Sequence, residues 1–312
     1  LKQYIAYADK QIEGARLRQE DSLLVVEHVK LAAEQPGTLL LICDGMGGHT
    51  SGGLASKLVT STIARTFHQT YGTIPQRLKS AAESANAAIA SRIVDDPRLN
   101  GMGTTLVAAF ISDWNIYWYS VGDSPLWLIR NNRLRRLNED HSMAAMLDKQ
   151  HNRDELSTDT EYFHGRHFLM SAINGKVPDI VDCPSLPFTL QEGDQLLLAT
   201  DGIETLSLSR LNEILTKTSQ LPVAGSLDAI FEEIKLQNHP QQDNASAILV
   251  RIGSGADIEK PQLSRHSTLL PGRLKTIRRT IMHGVKSKKI MRIFMIIAMI
   301  IIAALIIIRL IT

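Results

Sequence analysis

The apolar run Leu39-Leu40-Leu41-Ile42-Cys43 stops on a carboxylate, Asp44, and Gly45-Met46-Gly47-Gly48-His49 follows at once. Continuous apolar sequence of this length reads as a buried strand. A carboxylate at the tip of such a strand is held rigidly. Glycine beside it lets the main chain approach closely, so the Gly45 carbonyl can also reach an ion. Three further stretches share the design. Ser120-Val121-Gly122 leads to Asp123, and Leu196-Leu197-Leu198-Ala199-Thr200 delivers Asp201-Gly202. Asp243-Asn244 opens the apolar run Ala247 to Arg251, and Glu20-Asp21 opens the run Ser22 to Val26. Carboxylates gathered at strand ends are oxygen ligands suited to hard divalent cations. No matching set of His and Cys accompanies them, which argues against zinc.

The elements that must carry these residues follow from periodicity and turn chemistry. Strands are expected at residues 2–8, 21–28, 101–111, 116–121, 126–130, 133–137, 180–183, 196–200 and 247–252. Asn131-Asn132 makes a good hairpin turn. Helices are expected at residues 51–67, 76–93 and 227–236, with a short one at 203–206 and Ser226 as an N-cap. Asp140, in Asp140-His141-Ser142, is placed to cap another helix. Strands and helices do not alternate regularly. The pattern therefore favours an α+β layered sandwich over a doubly wound parallel sheet.

The 312 residues carry a net charge of +2, which hides an asymmetry. From Arg273 onward there are nine basic residues and no acidic one, so 25 Lys and Arg face 32 Asp and Glu in residues 1–272. The body is mildly acidic and the tail is basic. Two cysteines, Cys43 and Cys183, are too few for a disulfide framework, and a reducing compartment fits. No secretory signal is visible at the N-terminus. Ile293–Ile308 is unbroken apolar sequence between Arg292 and Arg309. As a helix it would be ~24 Å long at ~1.5 Å per residue. Snorkelling of the flanking arginines, with Ile290 and Leu310-Ile311 added, brings it to spanning length. The expectation is a transmembrane anchor at 290–312, a basic flexible linker at 254–289 and a single folded domain at 1–253. The basic cluster would keep the N-terminal side in the cytosol and be drawn to anionic membrane lipid. The chain would then be a single-pass protein of the inner (cytoplasmic) membrane. Nucleic-acid binding is not expected, since no aromatic platform accompanies the charges.

Seven short motifs occur in the order of a known family: RLRQED (16–21), DGMGGH (44–49), GMGTTL (101–106), SVGDS (120–124), LNEDHS (137–142), LLLATDGI (196–203) and DNASAILV (243–250). In these the chain resembles the bacterial metal-dependent serine/threonine protein phosphatases of type 2C. The resemblance implies a four-layer α/β/β/α sandwich with two central antiparallel sheets and metals between them at one end. It implies two Mn²⁺ or Mg²⁺ ions bridged by Asp44. Asp201 and Asp243 would complete one shell, and the Gly45 carbonyl with Glu20, through water, the other. Asp21 would be an outer ligand, Asp123 would help hold a third, weaker ion, and Arg16 would grip the phosphate. Water activated by the ions would attack phosphorus in line, with no covalent enzyme intermediate. The proton for the leaving oxygen is unassigned, with His49 as candidate, because Met46 stands where other members carry histidine. Residues 149–178 correspond to a flap beside the site, and His151, His164 and His167 there read as loop histidines. The chain departs from the family at Gln19 (Asn), Gly52-Gly53 (Gly-Glu) and Pro125 (Arg). Implied partners are phosphoprotein substrates and an opposing serine/threonine kinase. The rival from another class is a non-catalytic phosphoprotein-binding or scaffold protein of the same fold.

Overall fold

The computed structural model describes residues 3–31, 36–47, 51–150 and 168–254. Among them the strands are β1 (Gln3–Ile12), β2 (Ser22–Val29), β3 (Gly37–Cys43), β4 (Gly45–Met46), β5 (Gly103–Thr104), β6 (Leu106–Ser112), β7 (Asn115–Val121), β8 (Leu126–Arg130), β9 (Arg133–Arg136), β10 (Phe188–Thr189), β11 (Gln195–Ala199) and β12 (Ala245–Ser254). The helices are α1 (Ser51–Thr66), α2 (Ile74–Asp95), α3 (Met143–Gln150), α4 (Leu208–Lys217) and α5 (Val223–Gln237). One five-stranded sheet runs β1-β12-β11-β8-β9, and the other runs β10-β7-β6-β3-β2. All neighbours pair antiparallel, and β4 and β5 form a separate two-stranded piece.

The continuous apolar runs follow from this layering, because both faces of each sheet are covered. In β3, Leu39, Leu41 and Cys43 face Ala55, Val59 and Ile63 of α1 and Leu78, Ala82 and Ile89 of α2. Leu40 and Ile42 of the same strand face the other way, onto Leu196 and Leu198 of β11 and Ile248 and Val250 of β12. The opposite faces of β11 and β12, with Leu197 and Leu249, pack on Leu211 and Leu215 of α4 and Leu227 and Phe231 of α5. The order is helices, sheet, sheet, helices. Each fully buried Leu or Ile contributes about 1.5–3 kcal/mol of transfer free energy to this packing.

Turn chemistry works as expected at Asn131-Asn132, with φ of 53° and 60°, and recurs unforeseen at Asp113-Trp114, with φ of 46° and 62°. Three local expectations are corrected. Helix α5 starts at Val223 after Pro222, so Ser226 lies inside it and donates to the Thr218 carbonyl at 2.8 Å instead of capping. Residues 180–183 form no strand, only a bridge between Asp182 and Ser120. Helix α4 was not anticipated; the hydroxyl of Ser207 caps it by accepting from Arg210 N at 3.3 Å.

Among the described residues no helix is long and apolar enough to cross a membrane. The expected anchor, nearly all of the linker, His49, and the histidines at 151, 164 and 167 lie outside the described residues.

Candidate active site

The facing ends of the two sheets bring the strand-end acids together. Asp44 follows β3, and its main chain is fixed on both sides by Thr104 and Thr105. Its N–H donates to Thr105 Oγ1 at 2.9 Å, and its carbonyl accepts from Thr105 N at 2.9 Å and Thr104 Oγ1 at 2.7 Å. Thr105 Oγ1 also shares a 2.7 Å hydrogen bond with Ser124 Oγ, which links GMGTTL to SVGDS. Gly45 sits where three backbones meet. A Cβ there would lie 2.3 Å from the Gly52 carbonyl oxygen and 2.4 Å from that of Glu20. The same approach explains the first of the Gly52-Gly53 pair, since a Cβ on Gly52 would lie 2.6 Å from the Gly45 carbonyl oxygen.

Asp21 is 2 % exposed. Its Oδ2 accepts from Thr200 Oγ1 at 2.9 Å and Ser246 Oγ at 2.6 Å, so the start of β2 is clasped to the end of β11 and to β12 across the sandwich. Asp201 stands just after β11, and Gly202 beside it has no room for a side chain: a Cβ would fall 1.9 Å from the Asn244 carbonyl oxygen. Asn244 is a hub that sequence reading missed. Its Oδ1 accepts from Glu20 N at 2.8 Å, and its Nδ2 donates to the carbonyls of Glu13 at 2.8 Å and Arg18 at 3.0 Å. Asp243 Oδ2 receives Arg16 Nη2 at 2.5 Å. Arg16, Glu20, Asp44, Gly45 and Asp243 line one cleft of about 980 Å³, together with Met46 and Arg18.

Asp123 lies on the other flank. The Arg136 guanidinium donates to the Asp123 carbonyl and to Asp140 Oδ2, the latter at 2.6 Å. Asp140 is therefore not the expected cap of α3. It accepts from Ser142 N at 2.9 Å in a local turn, and Ser142 Oγ caps by accepting from Ala145 N at 3.2 Å. His141 is buried, with Nδ1 accepting from Gly122 N at 3.1 Å and Nε2 without a partner among the described residues. Burial pushes the His141 pKa down, so the ring is neutral and holds the turn before Asp123. Glu204 was missed. It follows Asp201 in a 3₁₀ turn and faces Arg136, Asp140, Asp201 and Asp123.

The acids resist ionisation together. Burial first, then the charges of neighbouring acids, raises Asp44 well above the carboxylate range. Burial raises Asp21 to about 7, Asp123 to about 6 and Glu204 to about 7. Asp201 is also raised by burial, and its hydrogen bond with Asp44 opposes that rise. Among the described residues no three acids already close on a common point as a metal shell. The donor set still fits a hard divalent ion. It is all oxygen, it includes a carbonyl brought close by Gly45, and such ions complete their shells with water. Crowded, partly desolvated carboxylates are also what a bound cation would relieve.

The protein phosphatase 2C family profile matches residues 17–247. The chain belongs to that family. The serine/threonine phosphatase stp of Listeria welshimeri is 31% identical over 220 residues, covering 68% of this chain and 83% of that protein. The serine/threonine protein phosphatase PstP of Mycobacterium tuberculosis is 31% identical over 200 residues, 62% of this chain but 37% of that longer protein. A solved PstP catalytic domain in complex with two manganese ions superposes with a TM-score of 0.64 at 27% identity, covering 81% of this chain and 100% of that one. By this membership the chain is a protein-serine/threonine phosphatase. The two-sheet fold is the family's fold.

Proposed function

We propose that this phosphatase hydrolyses phosphoserine and phosphothreonine in proteins using two Mn²⁺ or Mg²⁺ ions, at the cytosolic face of the inner membrane. The observation that carries the reading is the convergence of Asp21, Asp44 and Asp201 from both sheets, Asp21 buried and all three held above the carboxylate range by desolvation and mutual repulsion. Asp44, Asp201, Asp243, the Gly45 carbonyl and, through water, Glu20 would hold the ions, with Asp21 behind them. Bound there, such ions supply a water of lowered pKa and positive charge opposite the transferring phosphoryl group.

This chain's own residues do the rest. Arg16, released from Asp243, orients the phosphate with its planar fork. Thr104 and Thr105 keep Asp44 from moving. Gly202 lets Asp201 and Asp243 stand side by side. The leaving oxygen takes a proton, for which His49 is the candidate nearest in sequence. Asp123 belongs to the same reading as a holder of a third, weaker ion, and its neighbours Asp201 and Glu204 support it.

The membrane part of the reading is supported by the sequence of 290–312 and the basic stretch before it. Partners in this reading are phosphoproteins, a serine/threonine kinase and anionic lipid. The decisive test is phosphate release from a phosphothreonine peptide by the full chain with Mn²⁺, with chelator, and with Asp44→Asn. Release that needs both metal and Asp44 supports the reading. A folded protein that releases none in any metal sends the weight to a scaffold role. Membrane attachment is tested separately, by fractionating cells that express the chain with and without 290–312.

A further inference from the structure

Two arginines line the cleft, and they stand in different states. Arg16 is paired with Asp243 at 2.5 Å. Arg18 is exposed, and among the described residues its guanidinium has no hydrogen bond or ion pair. Its unengaged fork lines the same cleft as Asp44 and Asp243.

The backbone beneath Arg18 is fixed. Its carbonyl accepts from Asn244 Nδ2 at 3.0 Å, Ala15 N donates to the Gln242 carbonyl at 2.7 Å, and Gln19 Nε2 donates to the Ile12 carbonyl at 3.1 Å. Gly14 turns the loop at φ +64°, and a Cβ there would lie 2.4 Å from the Asp243 carbonyl oxygen. The loop cannot drift from β12, so the two arginines keep their spacing. Leu17 between them is 97 % exposed and offers an apolar contact to a peptide crossing the rim.

We infer that Arg18 is a specificity determinant that takes a second anionic group, carboxylate or phosphate, on a residue flanking the phosphoserine or phosphothreonine. The inference rests on the phosphatase reading above. Two residues of extended chain span at most about 7 Å. A second anion within two positions of the first therefore stays inside the cleft that Arg16 and Arg18 both line. A planar fork favours oxyanions over other polar groups.

The test uses the full chain with Mn²⁺ and peptides of one sequence. All carry the target phosphothreonine, with Ala, Asp or a second phosphothreonine at each position within two residues, and mass spectrometry assigns which phosphate of a doubly phosphorylated peptide is released. Binding by fluorescence anisotropy and kcat/KM by phosphate release are read in parallel. The expected result is a preference of roughly tenfold for the doubly anionic peptides, the scale of one charge-assisted hydrogen bond at a wet rim. Arg18→Gln brings that ratio close to one, and rising salt erodes it in the unmutated protein. Equal gains from Asp and phosphothreonine assign charge alone. A gain from phosphothreonine only assigns doubly phosphorylated segments. A preference that survives Arg18→Gln, or no preference at all, overturns the inference. Turnover of the Ala peptide judges the phosphatase reading by itself, and the anisotropy ratio judges Arg18 even if nothing is hydrolysed.

Discussion

Gly202→Ala is the smallest change that reaches both sheet-one acids at once. The added Cβ would start 1.9 Å from the Asn244 carbonyl oxygen and 2.8 Å from its carbon. An ordinary contact begins near 3.4 Å, so the two segments must part by about 1.5 Å. Asp201 precedes the glycine and Asp243 precedes Asn244, so one or both carboxylates move with the backbone. Displacements near 1 Å at a reacting centre cost about 100-fold in rate. Loss of the shell that orients metal ligands costs about 10–100-fold in metal affinity. Overpacking itself costs about 1–3 kcal/mol of stability. The expected variant is folded, melts lower, binds Mn²⁺ about 10–100-fold more weakly by calorimetry and loses about 100-fold in kcat/KM on a phosphothreonine peptide. Gly225→Ala is the control. It lies inside α5, and its Cβ would meet nothing nearer than 3.6 Å, so it should gain up to about 1 kcal/mol and keep its activity. If Gly202→Ala binds Mn²⁺ and turns over substrate like the unmutated protein, the juxtaposition of Asp201 and Asp243 is not what the site depends on.

Asp21 has a folded pKa near 7, above its unfolded value of about 3.9, so the ion-free fold holds a proton that the unfolded chain has lost. That contribution, up to about 4 kcal/mol at 1.36 per unit, is present in full below about pH 4 and is lost as pH rises through about 7. Melting in chelator should therefore fall between pH 5 and 8, while Mn²⁺ raises it more at pH 8, because binding needs the carboxylates deprotonated. A flat or rising melting curve in chelator would refute this. Thr105→Val leaves the buried Asp44 N–H and Ser124 hydroxyl without their shared partner; it should cost about 1–3 kcal/mol and weaken Mn²⁺ activation, and Thr105→Ser should restore both. Arg130→Met strands the buried Asp194, which is held by Nε at 2.8 Å and Nη2 at 2.7 Å; about 3 kcal/mol of stability should go, with kcat/KM per folded molecule unchanged.

The acids were legible because a buried strand announces itself as an apolar run and its end as the first charge. The groups that hold them were not. Thr200 and Ser246 meet Asp21 across 179 and 225 residues of chain, a pairing that only the β11–β12 register and the stacking of the two sheets create. Asn244 reads as an ordinary polar residue after Asp243, and nothing local shows that three backbone groups converge on its amide. Asp140 had the right chemistry to cap α3 but lies beside Arg136 and turns on Ser142, so the hydroxyl took the role. Glu204 gave no signal, since its nearness to Arg136, Asp140 and Asp123 comes from tertiary packing. The layered architecture was legible in the irregular succession of strands and helices, whereas the start of α5 is set by Pro222, which precedes the first helical residue and leaves Ser226 inside the helix.

The Asp21 clasp gives the sandwich a hinge-and-latch mechanics. Asp44 belongs to one sheet and Asp201 and Asp243 to the other, with two hydroxyls of the second sheet gripping a carboxylate of the first. Prying the sheets apart would open the catalytic end and discard its ions before the apolar interior between Leu40 and Ile248 was wetted. Loss of activity would then run ahead of loss of fold in mild denaturant, and added cation would delay both by fastening that end.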